Sequence, residues 1–285
     1  MVNNYDLDTF KTGMGMASGA STRSNYGLRD EIQAFWSDRA ATFDEVPGHE
    51  IFSEAERRAW HRLLTRHLGP ASGRSVLDLA SGTGVVSHLL DELGFAVTGL
   101  DWSEAMLARA KAKAAARGRR IDFRLGDAER IPEADASFDV LVCRHLVWTL
   151  VDPAACFSEW LRVVRPGGSL VVVDGDFVRL GFGERLIQRL DAIARRWRLS
   201  RELSPSLTAE LAERHRSILS RVYFRDGARA EDVAAMLGQA GFADIWIDRR
   251  LGDIHRAQAR HMPFAKGLSR QIQHRYAISA LKPAT

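Results

Sequence analysis

Cysteine is scarce: Cys143 and Cys156 are the two in 285 residues. Two thiols without close spacing supply neither a disulfide framework nor a zinc-ligand pattern, and they fit a reduced, cytoplasmic setting. No apolar run approaches the 18 residues a membrane-spanning helix needs. The N-terminal residues 1–28 are rich in Gly, Ser, Thr and Asn and hold no apolar segment of the signal-peptide kind, so they read as a flexible arm rather than a secretory leader. Internal repeats and low-complexity tracts are absent as well.

What is present is an ordinary globular composition, 46% hydrophobic, long enough for a large core. The net charge of +4 conceals an asymmetry: residues 1–178 are net −5 and residues 179–285 net +9. A basic final third suits an anionic partner, or it is a solvated arginine-rich face.

Five zones follow along the chain. After the arm, residues 29–70 read as a helical cap; its second helix opens at Ser53, with Glu56 in capping-box register, and stops at Gly69-Pro70. Residues 71–178 alternate short apolar strands (76–79, 96–100, 121–125, 138–143, 169–173) with helices (84–93, 103–117, 153–164). Pro166-Gly167-Gly168 reads as a tight turn before the last of these strands. Strands apolar on both faces and separated by helices imply a parallel sheet covered on both sides. Residues 179–225 are helical and arginine-rich without a strand, an insertion placed to act as a lid. Residues 226–285 complete the core with a helix at 230–240 and strands at 243–247 and 276–281.

The strongest local signal is Val76-Leu77-Asp78-Leu79-Ala80-Ser81-Gly82-Thr83-Gly84, a strand running into a glycine-rich turn before a helix. Such a turn lets backbone N–H groups face a ligand. The dinucleotide spacing would need glycine at position 87, where Ser87 stands. Asp78 puts a carboxylate where a pyrophosphate would be repelled and a cationic ligand welcomed. Asp101 ends the next strand, placed to accept a pair of ribose hydroxyls.

These residues, with GLD (99–101), GDAERIP (126–132), FDVLVCRHLVWTL (138–150) and LRVVRPGGSLVVVDG (161–175), resemble the class I S-adenosylmethionine (SAM) dependent methyltransferases, in particular the small-molecule group called type 11. The resemblance covers roughly residues 30–176 and departs from the family at Ala80, where glycine is usual. It implies an α/β Rossmann-like fold: a seven-stranded, mostly parallel sheet with helices on both faces, plus N-terminal helices and a helical lid. It also implies SAM as cofactor, with Asp78 near the methionine amino group and Ala80, Ser81, Gly82 and Gly84 in the loop beneath. By the same resemblance Asp101 takes the ribose, Trp102 and Met106 flank the adenine, Asp127 and Ala128 meet its edge, and Arg144 lies at the methionine moiety.

Around the acceptor, the segment 35–44 resembles the family's N-terminal cap. Phe35, Trp36, Arg39 and Phe43 are therefore expected at the substrate or over the cofactor, against the alternative that the aromatics simply pack the helix. His145, just past a strand end, is the candidate base. Trp148, Asp176 and Tyr223 are further candidates for the substrate wall. The pair Asp174 and Asp176 lacks a third ligand, and no metal is expected. His255 and His261, beside Arg256 and Arg260, read as a solvated strand-to-loop segment with an anion site as the alternative. The expected activity is methyl transfer to an O or N atom of a small molecule, and the basic third suits an anionic acceptor. RNA methylation and SAM binding without transfer are the alternatives. Nucleic acid is not expected as a partner: no RNA-binding module is visible. The arm and the exposed aromatics leave a homodimer open.

Overall fold

The computed structural model describes residues 22–179, 181–196 and 208–284. Seven strands form one sheet: β1 (Ser75–Leu79), β2 (Ala96–Asp101), β3 (Asp122–Leu125), β4 (Phe138–Arg144), β5 (Val164–Gly175), β6 (Ala243–Asp248) and β7 (Arg275–Leu281). Their order is β3-β2-β1-β4-β5-β7-β6. All neighbours are parallel except β7, which runs antiparallel to both β5 and β6. This is the expected α/β Rossmann-like architecture.

Period-two alternation sorts the strand side chains into two cores. Leu77, Leu79, Leu141 and Cys143 pack on one face, under Phe157 and Trp160 of α5 (Pro153–Val163) and Val233 and Leu237 of α8 (Ala230–Ala240). Val76, Val140, Val142 and Val171 pack on the other. There they meet Trp60 and Leu64 of α2 (Glu54–Leu68), Leu89 and Leu90 of α3 (Val85–Glu92) and Ile254 of α9 (Gly252–Ala259). The helix starts follow capping chemistry. Ser53 accepts from the Glu56 N–H, Ser103 from the Met106 N–H at the head of α4 (Glu104–Ala116), and Asp152 from the Ala155 N–H. The Glu56 carboxylate reaches back to the Phe52 N–H, one residue before the register a capping box uses.

Several expectations need correction. Residues 1–21 of the expected arm lie outside the described residues, but from Thr22 the chain is already helical: α1 spans Thr22–Arg39. Pro166-Gly167-Gly168 falls inside β5, not before it. Phe138 pairs with Val164 and Val140 with Ser169, so the intervening residues loop out as a bulge. The stretch around His255 and His261 is not a solvated loop. It forms α9 and leads into α10 (Phe264–Ile272), with His255 buried and His261 exposed.

The insertion contains α6 (Phe182–Arg196) and α7 (Ala209–Leu219); residues 180 and 197–207 lie outside the described residues. Ile218 of α7 and the following Val222 are buried with Leu28, Ile32 and Phe35 of α1. Arg214 pairs with Asp38, and Arg221 with Glu31. Excising 179–225 would therefore strip α1 of its packing partner, so that deletion is not a clean test of a lid.

Leu141 is fully buried in the central strand β4. Leu141→Ala is expected to lower unfolding free energy by about 2–5 kcal/mol, read as a drop in the urea midpoint. A smaller loss would mean that the sheet collapses onto the vacated volume.

Candidate active site

The sheet order reverses direction between β1 and β4, the position where open parallel sheets leave a crevice at the C-terminal strand ends. A cleft of about 1000 Å³ opens there, its mouth included. From the strand ends, Asp78, Asp101, Arg144 and His145 line it. The glycine loop contributes Ala80, Ser81, Gly82 and Thr83. Trp102, Met106, Asp127, Ala128 and Glu129 form one wall, and Trp36, Phe43 and His49 close it from the N-terminal cap.

The loop is built from backbone conformations that L-residues seldom adopt. Gly82 has φ +55° and Gly84 φ +82°. Gly84 is not part of the lining. It is the N-cap of α3, and a Cβ there would lie 3.0 Å from the Phe123 ring. Ala80 has φ +52° in spite of its side chain. The Asp101 carboxylate holds the loop by accepting the Gly82 N–H at 2.8 Å, and accepts the Ser103 N–H at 2.8 Å with its other oxygen. Ser87, standing where a dinucleotide fold would carry glycine, donates its hydroxyl to Asp78 at 2.6 Å.

Burial dominates the electrostatics. It lifts the Asp78 carboxyl to about 7 against the Ser87 hydrogen bond and nearby Arg144, and the Asp101 carboxyl to about 6 against its two N–H donors. Arg144 is held between the Gly48 and His49 carbonyls, at 3.3 and 3.2 Å, and lies over the Trp60 ring. The Ser81 hydroxyl is buried without a partner. One cleft thus offers an arginine for a carboxylate, Asp78 for an ammonium, and Asp101 for a diol. A zwitterion joined to a nucleoside fits this set.

The two histidines of the cleft are not equivalent. The Nε2 of His145 is 3.1 Å from the Arg275 guanidinium, which can only donate, so Nε2 accepts and the proton sits on Nδ1. His145 itself has φ +59°. His49 has its Nδ1 3.2 Å from the Phe43 carbonyl, which can only accept, so its Nε2 carries the lone pair. Its ring stacks on Phe43 at 4.3 Å, and Phe43 meets Trp36 edge-on. Burial first, and then nearby arginines, hold both imidazoles well below their usual value, so both are neutral at pH 7.

Other sequence candidates lie elsewhere. Phe35 is core, stacked on His215 and buried between α1 and α7. Arg39 is buried and donates to Thr42. Trp148 is buried, its indole N–H on the His145 carbonyl. Asp176 accepts the Val178 and Arg179 N–H groups outside the cleft. Tyr223 is exposed on the surface. Asp174 is buried and accepts the Val147 and Gly175 N–H groups, and the described residues contain no cluster suited to a metal ion. Asp127 is engaged by Arg29 at 3.0 Å and by the Glu129 N–H, which leaves a carboxylate with spare acceptor sites.

Sequence reasoning missed His49 and Glu129. Glu129 takes Arg29 on one oxygen and the Val151 and Asp152 N–H groups on its carboxylate. Its only signal was its place in GDAERIP; His49 had none beyond a glycine before it.

The left-handed Ala80 carries about 1–2 kcal/mol of backbone strain. Ala80→Gly relieves it against a larger unfolded-state entropy and is expected to raise stability by up to about 1 kcal/mol, measured by urea unfolding. A destabilised variant would show that the Ala80 methyl packs too well to lose.

A methyltransferase-domain family matches residues 77–172. The chain is 35% identical over 243 residues to a demethylmenaquinone methyltransferase of Renibacterium salmoninarum, covering 84% of this chain and 93% of that protein. A protein of the same name from Paenarthrobacter aurescens is 32% identical over 260 residues, covering 87% and 95%. Among solved structures, Haemonchus contortus phosphoethanolamine N-methyltransferase 2, in complex with S-adenosylhomocysteine, superposes with a TM-score of 0.60 at 18% identity. That match covers 90% of this chain but spans only 60% of the other, and it is a likeness of fold. Identity at this level over nearly the whole of a relative's length goes beyond a shared architecture, and the chain belongs to the class I S-adenosylmethionine-dependent methyltransferases.

Proposed function

We propose that this enzyme methylates a ring carbon of a hydroxylated aromatic acceptor of the quinol type, in place of the O or N acceptor expected from the sequence. The observation that carries the reading is the near full-length similarity to demethylmenaquinone methyltransferases. The aromatic wall of Trp36, Phe43 and His49 supports it, because a planar ring can stack there.

SAM supplies an electrophilic methyl group on a sulfonium. Asp78 would take the cofactor's ammonium, Arg144 its carboxylate and Asp101 its ribose, with Ser81 in the loop beneath. Trp102, Met106, Asp127 and Ala128 would hold the adenine. With the electrophile already activated, the protein's task is alignment and exclusion of water. Ionising an acceptor hydroxyl pushes electron density onto the adjacent ring carbon. That carbon would take the methyl as its bond to the sulfonium sulfur breaks, and passage of the ring proton to water would restore aromaticity.

The hydroxyl proton needs an acceptor within the cleft. The Nε2 of His145 is filled by Arg275, whereas the Nε2 of His49 has its lone pair available. His49 therefore replaces His145 as the candidate base. His49→Ala is expected to lower kcat by about 10²-fold or more while leaving S-adenosylhomocysteine affinity near wild type. If His145→Gln instead gave the larger kcat loss, the base would be His145.

The carboxylates make cofactor binding pH-dependent. With Asp78 near 7 and Asp101 near 6, both are largely protonated at pH 5.5 and must ionise to bind an ammonium and a diol. Affinity for S-adenosylhomocysteine is expected to fall about tenfold or more from pH 8 to pH 5.5. Asp101→Asn is expected to weaken binding at pH 8 by about 1–3 kcal/mol and to flatten the profile. Calorimetric titration reads both, and an affinity indifferent to pH would remove the two carboxylates from the cofactor's polar contacts.

The acceptor itself is tested by incubating the protein and SAM with a reduced demethylated naphthoquinone and locating the new methyl group by mass spectrometry and NMR. A C-methylated product supports the reading. O-methylation, or no product from protein that binds S-adenosylhomocysteine, sinks it.

A further inference from the structure

Of the twelve exposed large hydrophobic residues among the described ones, seven stand on two helices. Phe182, Leu186, Leu190 and Ile193 recur on α6, and Phe264, Leu268 and Ile272 on α10. These spacings of three and four residues put each set on one helical stripe. The two helices pack against each other, and a Cβ at Gly183 of α6 would lie 3.1 Å from the Ile272 side chain, so the stripes adjoin. Phe182 and Phe264 expose 86% and 87% of their surface. Soluble domains seldom leave so contiguous an apolar area facing water.

The rim of this ridge is cationic. Arg185 and Arg189 are exposed on α6 beside the apolar stripe. Ile272 also lines a second cleft whose wall carries Arg179 and Arg229, together with Asp176, the Arg249–Glu231 pair and Arg275, which is engaged on His145. Part of the net charge of +9 over residues 179–285 is thus gathered around the ridge. A second copy of the chain would bring a like-charged rim against this one. An anionic bilayer offers both an apolar interior for the ridge and opposite charge for the rim.

We propose that the α6–α10 ridge docks this enzyme on the surface of an anionic lipid bilayer, its apolar side chains entering the acyl boundary and its arginines meeting the lipid phosphates. The docking goes beyond the acceptor reading and stands without it. A lipid-soluble acceptor would be reached from that surface.

The test is co-sedimentation of the full chain with vesicles of phosphatidylcholine alone and of phosphatidylcholine with about a third phosphatidylglycerol. Binding is expected to the anionic vesicles and to fall about tenfold on raising salt from 0.05 to 0.5 M. The double variant Leu190→Glu, Leu268→Glu is expected to lose binding. Leu125→Glu, at an exposed residue outside the ridge, is expected to keep it. S-adenosylhomocysteine affinity reports that each variant is folded. The proposal is overturned if wild-type protein stays in the supernatant with anionic vesicles, if the ridge variant binds as well as wild type, or if the ridge supports only a concentration-dependent dimer that the variant abolishes. Vesicle binding without methylation of a quinol would refute the acceptor reading alone.

Discussion

Charge buried at the ends of parallel strands is the constraint on which the rest of this molecule turns. Asp78, Asp101 and Arg144 sit at the C-terminal ends of β1, β2 and β4, all within a few ångströms of the crevice and largely out of bulk water. A carboxylate in such a place is costly unless donors surround it. Asp101 meets this by taking the Gly82 and Ser103 N–H groups, which also fixes the glycine loop and starts α4. Asp78 has the Ser87 hydroxyl, and Arg144 has two backbone carbonyls and an aromatic face. Asp101, the carboxylate proposed for the ribose, thus also locks the glycine loop.

The N-terminal cap completes the site by folding over it. Thr83 in the loop donates to Asp44 at 2.5 Å, and Lys113 of α4 donates to Glu50 at 2.6 Å and to Thr83 at 3.1 Å. These contacts bring Phe43 and His49 above the loop. Arg29 of α1 spans to Asp127 and Glu129 on the opposite wall. Each is half-buried, so screening is limited, and together they hold the aromatic wall over the glycine loop. The cap is held from behind by α7, whose packing against α1 explains why Phe35 serves the core while its neighbour Trp36 reaches the cleft.

Legibility in the sequence tracked the range of the interactions. Asp78, Gly82 and Asp101 could be placed because a strand, a turn and a helix start are specified by adjacent residues, and the next strand follows in fixed order. Trp148 and Tyr223 could not be sorted into cleft, core or surface, because the face each presents depends on distant segments: Trp148 packs on Trp36 and His215, and the Tyr223 N–H reaches the Leu150 carbonyl. The helical stretch of α9 and α10 escaped for a different reason. Its apolar residues lie on stripes split between a buried contact and an exposed ridge, and its histidines and arginines blur the period.

By itself, then, the sequence determined the sheet, the glycine loop and the carboxylates at the strand ends, because hydrophobic periodicity, glycine placement and capping residues act over a few positions. Tertiary structure decided the state of the two cleft histidines. The protonation of His145 depends on Arg275, 130 residues distant, and the free lone pair of His49 depends on a carbonyl that is in place only once the cap has folded onto the loop. Which nitrogen of an imidazole carries the proton is settled by the one hydrogen-bond partner packing supplies, and no local pattern encodes that partner.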